Sequence, residues 1–190
     1  MHSVTTFAPA IIANLGPGFD FLGCAVECLG DHVSVEVSEG IEPGQIVISS
    51  INGDNNRLSR DPVNNCVGIA AKATMELLGI QLVGLSLSLH KGLPLGSGLG
   101  SSAASVAAAA IVVNALFGNK LTTSELVLAG LESKAAVSGY HADNIAPYLM
   151  GGFVLVRSYN PLDLISLPFP TDKELFFVLV TPDFEALTKK

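Results

Sequence analysis

Basic residues are scarce in this 190-residue chain. Ten lysines and arginines face 17 aspartates and glutamates, a formal net charge of −7 with a sequence pI near 4.9. That balance excludes nucleic acid as the main partner, because phosphate backbones are gripped by clustered positive charge. Cysteine is scarce too. Cys24, Cys28 and Cys66 are odd in number, and the Cys24/Cys28 spacing is not that of a CxxC pair. With no second His/Cys pair to complete a set, a structural metal is not expected, and buried reduced thiols in a reducing compartment are. Charge of either sign makes up only 14% of the chain, against 49% hydrophobic residues and a mean hydropathy of +0.51. Such a composition excludes a disordered chain and raises the question of a membrane span.

Residues 92–119 carry no charge at all, between Lys91 and Lys120. The first third of that stretch (GLPLGSGLGSS) is rich in Gly, Pro and Ser and could not satisfy its backbone in lipid. The remainder, residues 103–117, is about 22 Å long as a helix and holds Ser105 and Asn114, whereas a bilayer core needs about 30 Å. A buried helix is expected instead. The N-terminus (MHSVTTFAPAI) lacks the basic and apolar regions of a signal peptide.

Period-2 alternation predicts strands. In HVSVEVS (32–38), Val33, Val35 and Val37 share one face; in GLSLSLH (84–90), Leu85, Leu87 and Leu89 oppose Ser86 and Ser88. One apolar and one polar face indicate an antiparallel sheet covered on one side. Residues 45–51, 152–157 and 175–181 are further strand candidates. Helices are predicted over 63–78, 101–117 and from the capping box Thr122-Thr123-Ser124-Glu125 to about 137. Pro161, Pro168 and Pro170 mark a loop before the last strand. The chain is expected to form one α+β unit, its mostly antiparallel sheet carrying helices on one face.

The sharpest feature is KGLPLGSGLGSSAA, residues 91–104, a Gly-rich loop between a strand and an Ala-rich helix. Glycines let backbone N–H groups approach an anion, and a helix N-terminus adds about half a positive charge. A Walker A loop is excluded, since no Lys follows the last glycine. A Rossmann loop is disfavoured because the preceding strand is half-polar rather than buried and parallel. A Gly-rich turn without a ligand is the alternative to phosphate binding.

PLGSGLGSSAA resembles the phosphate-loop signature of the GHMP kinases. APAIIANLGPGFDFLG (8–23) and SGYHADNIAP (138–147) followed by Gly151-Gly152-Phe153 resemble the substrate segments of the homoserine kinase branch, as does TPDFEALTKK (181–190) its domain boundary. Several stretches are similar to the plant enzyme. The resemblance implies a ribosomal protein S5 domain 2-like N-terminal domain at 1–180, with 181–190 starting the connection to a second domain absent from this chain. It implies ATP as co-substrate, Mg²⁺, L-homoserine as the small-molecule substrate, a reaction on the way to threonine, and the plastid stroma as location. Neither a membrane nor a nucleic acid is an expected partner, and a homodimer stays open.

By resemblance, Lys91, Pro94, Leu95, Gly96, Ser97, Gly98, Leu99, Gly100, Ser101, Ser102, Ala103 and Ala104 would hold ATP, with Asn65 near the adenine. Ser101 and Glu132 would hold Mg²⁺. Asn14, Asp20, His141, Asp143 and Asn144 would hold homoserine. Asn144 and Lys91 are the catalytic candidates, Lys91 as the one cation just outside the loop. Blander readings stand beside these: turn chemistry for Asn14 and Asp20, a solvated helix carboxylate for Glu132, a solvated strand end for Lys91. Related kinases place an aspartate base where Asn144 stands here, and an amide cannot take that proton. The family's later motif resembling SGAGP is missing, and Arg57, Arg60 and Arg157 are the only arginines. Half of a two-domain enzyme is therefore expected, with an apolar face that favours self-association.

Overall fold

The computed structural model describes residues 3–135, 141–170 and 172–180. Six strands form one sheet in the order β3-β4-β2-β5-β6, with β1 paired to β2 beside that path. They are β1 (Ser3–Ala13), β2 (Leu22–Val37), β3 (Ile46–Asn52), β4 (Leu85–His90), β5 (Phe153–Tyr159) and β6 (Leu162–Leu167). All pairings are antiparallel except β3 with β4. A parallel neighbour needs a crossover, and α1 (Cys66–Leu77) supplies it. Helices α2 (Ser101–Leu116), α3 (Thr123–Ala135) and the short α4 (Ala146–Met150) complete the architecture.

The alternation read from the sequence sets which face is dry. Val33, Val35, Leu85, Leu87 and Leu89 are buried in the core, while His32 and His90 are exposed and Ser34, Ser86 and Ser88 half-exposed. Helix α2 lies across that apolar face and packs against both α1 and α3, which also touch each other, and its run from Ala103 to Ala110 is enclosed. Small side chains there let the sheet and two helices close in from several sides. No helix among the described residues is long and apolar enough to cross a membrane. Helix α3 begins with the expected capping box: Glu125 accepts from the Thr122 amide at 2.7 Å, and the Thr122 hydroxyl accepts from the Glu125 amide at 3.3 Å. The Thr122 amide, together with the Thr122 hydroxyl, which donates to the same carboxylate oxygen at 2.7 Å, holds the Glu125 carboxyl below its usual range.

Three expectations need correction. The segment punctuated by Pro161 and Pro168 is not a loop, since residues 162–167 form β6, hairpinned onto β5. Residues 175–180 form no strand: Phe176, Val178 and Val180 are largely exposed, at 79%, 90% and 86%. Local β-propensity needs a partner edge, and the described residues offer none there. Finally, 63–65 do not belong to α1, because a 3-10 turn (Pro62–Asn64) precedes it. Cys24 is buried and Cys66 half-buried, neither in a disulfide. Burial raises the Cys24 thiol pKa. The connection expected at 181–190, and the start of the 138–147 motif, lie outside the described residues.

Candidate nucleotide and substrate site

Strand β4 delivers the chain into the loop, and α2 carries it away. Gly96, Gly98 and Gly100 all adopt left-handed backbone, with φ of 72°, 76° and 70°. Gly100 is the N-cap of α2, and no side chain caps that helix. The opening amides of a 16-residue helix are thus left facing the loop, a ready anion site. The rim is open: Pro94, Gly96 and Gly98 are exposed, and Leu95, Ser97, Leu99 and Ser102 half-buried. Below it, Ala103 and Ala104 are buried, and the Ala104 amide is taken by the Gly100 carbonyl at 2.8 Å, so Ala104 supplies packing rather than a contact to a ligand.

Two neighbouring elements fix the loop in place. The Leu99 carbonyl accepts from the Ile11 amide of β1 at 3.2 Å. The Gly100 carbonyl accepts from the Tyr148 hydroxyl of α4 at 3.0 Å. A side chain at Gly100 would collide with both neighbours, since a Cβ would lie 2.3 Å from Ile11 Cγ1 and 2.6 Å from the Tyr148 oxygen.

Lys91 is not a cation at the loop's mouth. It is buried, its ammonium paired with the enclosed carboxylate of Asp31. It also donates to the Ser101 carbonyl at 2.8 Å and to the Ser105 hydroxyl at 2.9 Å. Asn65 is likewise occupied. Its carbonyl oxygen caps α1 through the Val67 amide at 2.9 Å, and its NH₂ donates to the Ser59 carbonyl at 2.6 Å. Sequence reasoning missed the roles of Asp31 and Ser105, although Asp31 immediately precedes the alternating segment HVSVEVS.

Ser101 donates its hydroxyl proton to the Leu93 carbonyl at 3.2 Å, which leaves oxygen lone pairs for a metal. Glu132 is exposed and lines a cleft of about 410 Å³ with Val63, Lys72 and Glu76. Its neighbour Ser133 bonds the Cys66 carbonyl at 2.7 Å, and the Cys66 sulfur lies 3.7 Å from the Ser102 hydroxyl. Those links bring the Glu132 turn of α3 towards the start of α2. No group of three or more His, Cys, Asp or Glu that could hold a metal occurs among the described residues. One carboxylate and a hydroxyl still suit Mg²⁺, which takes its other oxygens from phosphates and water.

The structure brings Asn14, Asp20 and His141 close together. Asn14 and Asp20 both take left-handed backbone, at φ 59° and 62°. Asn14 Oδ1 accepts the Asp20 amide at 2.8 Å, so the turn reading holds for Asn14. The Asp20 side chain is turned elsewhere, 3.5 Å from His141 Nδ1 and half-exposed. His141, Asp143 and Asn144 lie in and beside a 3-10 turn (Ala142–Asn144). Tyr159, which sequence reasoning also missed, ties the two segments: its oxygen accepts from the Ala142 amide at 3.1 Å and it donates to the Asp20 carbonyl at 3.4 Å. Burial is the main influence on that phenol and raises its pKa. Asp143 is fully enclosed, and neither carboxylate oxygen has a hydrogen-bond partner of good geometry among the described residues. Burial raises its pKa, opposed in part by the Asn144 amide and His141.

Residues 65–152 match the model of the GHMP kinases N terminal domain. The chain is 69% identical to homoserine kinase of Arabidopsis thaliana over 99% of its own length and 51% of the relative's. Identity to homoserine kinase of Chloroherpeton thalassium is 45%, over 99% of this chain and 60% of that one. The chain therefore spans only about half the length of the curated relatives it matches. A crystal structure of homoserine kinase from Cytophaga hutchinsonii superposes with a TM-score of 0.84 at 46% identity, covering 90% of this chain and 54% of that one. Mevalonate kinase of Methanococcus jannaschii, 15% identical with a TM-score of 0.67 over 88% of this chain and 56% of that one, shares the fold. By loop, sheet and sequence together, this chain carries a GHMP kinase N-terminal domain.

Proposed function

We propose that the chain is the nucleotide-binding half of a homoserine kinase, which transfers the γ-phosphoryl group of ATP to the hydroxyl of L-homoserine. In this reading residues 1–180 form the N-terminal ATP-binding domain, and 181–190 begin the connection to a second domain. The observation that carries it is the uncapped N-terminus of α2 beneath three left-handed glycines. The similarity to the Arabidopsis homoserine kinase supports the substrate and, through the plant relative, the plastid stroma and threonine biosynthesis.

Phosphoryl transfer is chiefly positioning and charge stabilisation. The amides from Gly96 to Ser102 hold the triphosphate. Ser101 and Glu132 would hold Mg²⁺, which neutralises charge on the phosphate oxygens. Asp20, half-exposed beside His141, receives the homoserine ammonium. Asn14 keeps Asp20 in its turn, and Asn144 aims the hydroxyl. No base is assigned to Asn144, so the proton leaves to phosphate or water.

Calorimetry with Mg·ATP and a coupled ADP-release assay with homoserine, mevalonate and galactose test the proposal. The expected outcome is nucleotide binding, with turnover restricted to homoserine. Binding without turnover supports the second reading, a catalytically incomplete nucleotide-binding domain. Absence of Mg·ATP binding refutes both. In an active protein, Asn144→Leu should abolish turnover, and the pH–rate profile should show no acid limb that disappears in Asp143→Asn.

A further inference from the structure

The interior beneath the loop holds a closed polar network in which every group is used. Asp31 Oδ1 accepts the amides of Gly92 and Leu93 at 3.0 and 3.1 Å. Its Oδ2 accepts from the Lys91 ammonium and from the Ser105 hydroxyl, the latter at 2.6 Å. The three ammonium protons of Lys91 go to Asp31, the Ser101 carbonyl and the Ser105 hydroxyl. Gly92 makes the approach feasible, since a Cβ there would lie 2.0 Å from the Gly30 carbonyl. One carboxylate thus joins β2, the entrance of the loop and, through Lys91 and Ser105, the first turn of α2.

The charges follow the same logic. A bare lysine beside a helix N-terminus opposes the dipole, and a bare aspartate there competes with an incoming phosphate. Paired, they present the loop with no net charge. We infer that Asp31 is a positioning residue for the nucleotide loop, and that Lys91 serves as its buried counter-ion rather than as a phosphate ligand. The inference rests on reading the loop as a triphosphate cradle.

The test is a binding cycle in the full chain, with Mg·ATP and adenosine as probes. Lys91→Met leaves Asp31 uncompensated under the loop and should weaken Mg·ATP by about thirtyfold or more, with adenosine affinity nearly constant. The double variant Asp31→Asn/Lys91→Met removes both charges and should recover Mg·ATP affinity to within about fivefold of the wild type. A double variant as weak as Lys91→Met overturns the inference, because Lys91 would then touch phosphate directly. So does a Lys91→Met protein that binds Mg·ATP normally.

Amide hydrogen exchange gives a readout independent of nucleotide, and it applies even where the wild type binds none. Asp31→Asn should speed exchange at Gly92, Leu93 and the first turn of α2 by about tenfold, with β3 and α1 unchanged. Unchanged exchange at the loop refutes the clamp. If Lys91→Met does not fold, Ser105→Ala, which removes one arm, should show the same loop-restricted acceleration. Uniform acceleration throughout the chain would reduce Asp31 to a general stability role and overturn the inference.

Discussion

The phosphate loop and the acidic cluster are both built from turns with left-handed residues, yet they are finished differently. Beneath the loop, Asp31 and Lys91 are enclosed and every donor and acceptor is matched. In the acidic cluster, Asp20 and His141 are partly exposed, and the enclosed Asp143 carboxylate has no well-formed hydrogen bond among the described residues. A fully satisfied buried network fixes one geometry, whereas an unsatisfied carboxylate stores unfavourable energy until something pairs with it. The loop is therefore pre-formed by this chain alone. The acidic cluster is left with an unmet polar group.

Breaking the loop should produce the largest effect. Gly100→Ala combines left-handed strain with collisions against Ile11 and Tyr148, and should cost about 2–4 kcal/mol of stability. Mg·ATP affinity should fall with it by about a hundredfold in calorimetry. Gly98→Ala has the same backbone sign but open space around the new methyl. It should lose only about 1 kcal/mol, or 2–4 °C in melting temperature. Equal losses at the two positions would show that strain alone governs the loop.

The unsatisfied side of the comparison predicts a gain. Asp143→Asn removes a buried charge and should raise the melting temperature at pH 7 by a few degrees, for about 1 kcal/mol. The sign of the pH dependence follows from the raised pKa of the folded chain. Protonated Asp143 favours the fold, so its contribution is fully present below the ordinary carboxylate range and is lost as pH rises through the folded pKa. Wild-type stability relative to the Asn variant should therefore improve on acidification from pH 7. A flat difference between the two melting curves would show that Asp143 is paired in solution.

The smallest effect is expected far from both sites. Glu125→Ala opens the capping box of α3 and should lower the urea midpoint slightly without changing Mg·ATP affinity. A change in affinity there would blur the distinction between loop and scaffold.

Local chemistry explains what could be read from the chain in advance. The glycines, the proline and the alanine run announce the loop and α2 because each residue acts within a few positions of itself. The Val and Leu alternation of β2 and β4 shows because burial on one side imposes period 2. By contrast, the Lys91–Asp31 pair spans 60 positions, and no local pattern marks which carboxylate a lysine will meet. The same limit applies to Asn65, whose capping role depends on where α1 starts. Residues 162–167 read as a loop because flanking prolines suggest interruption, yet β5 offers an edge and the chain pairs with it. Residues 175–180 carry strong strand propensity and find no edge among the described residues.

That last segment, LFFVLV, has a consequence for handling the protein. It contains no charge, no proline and no glycine, and most of it is exposed. Six-residue runs of this kind stack into cross-β ladders when bare. The shelf life of the isolated chain should thus be set by concentration and by the lag before seeding, rather than by its melting temperature. A single charge introduced at Val178 should lengthen that lag without touching the fold.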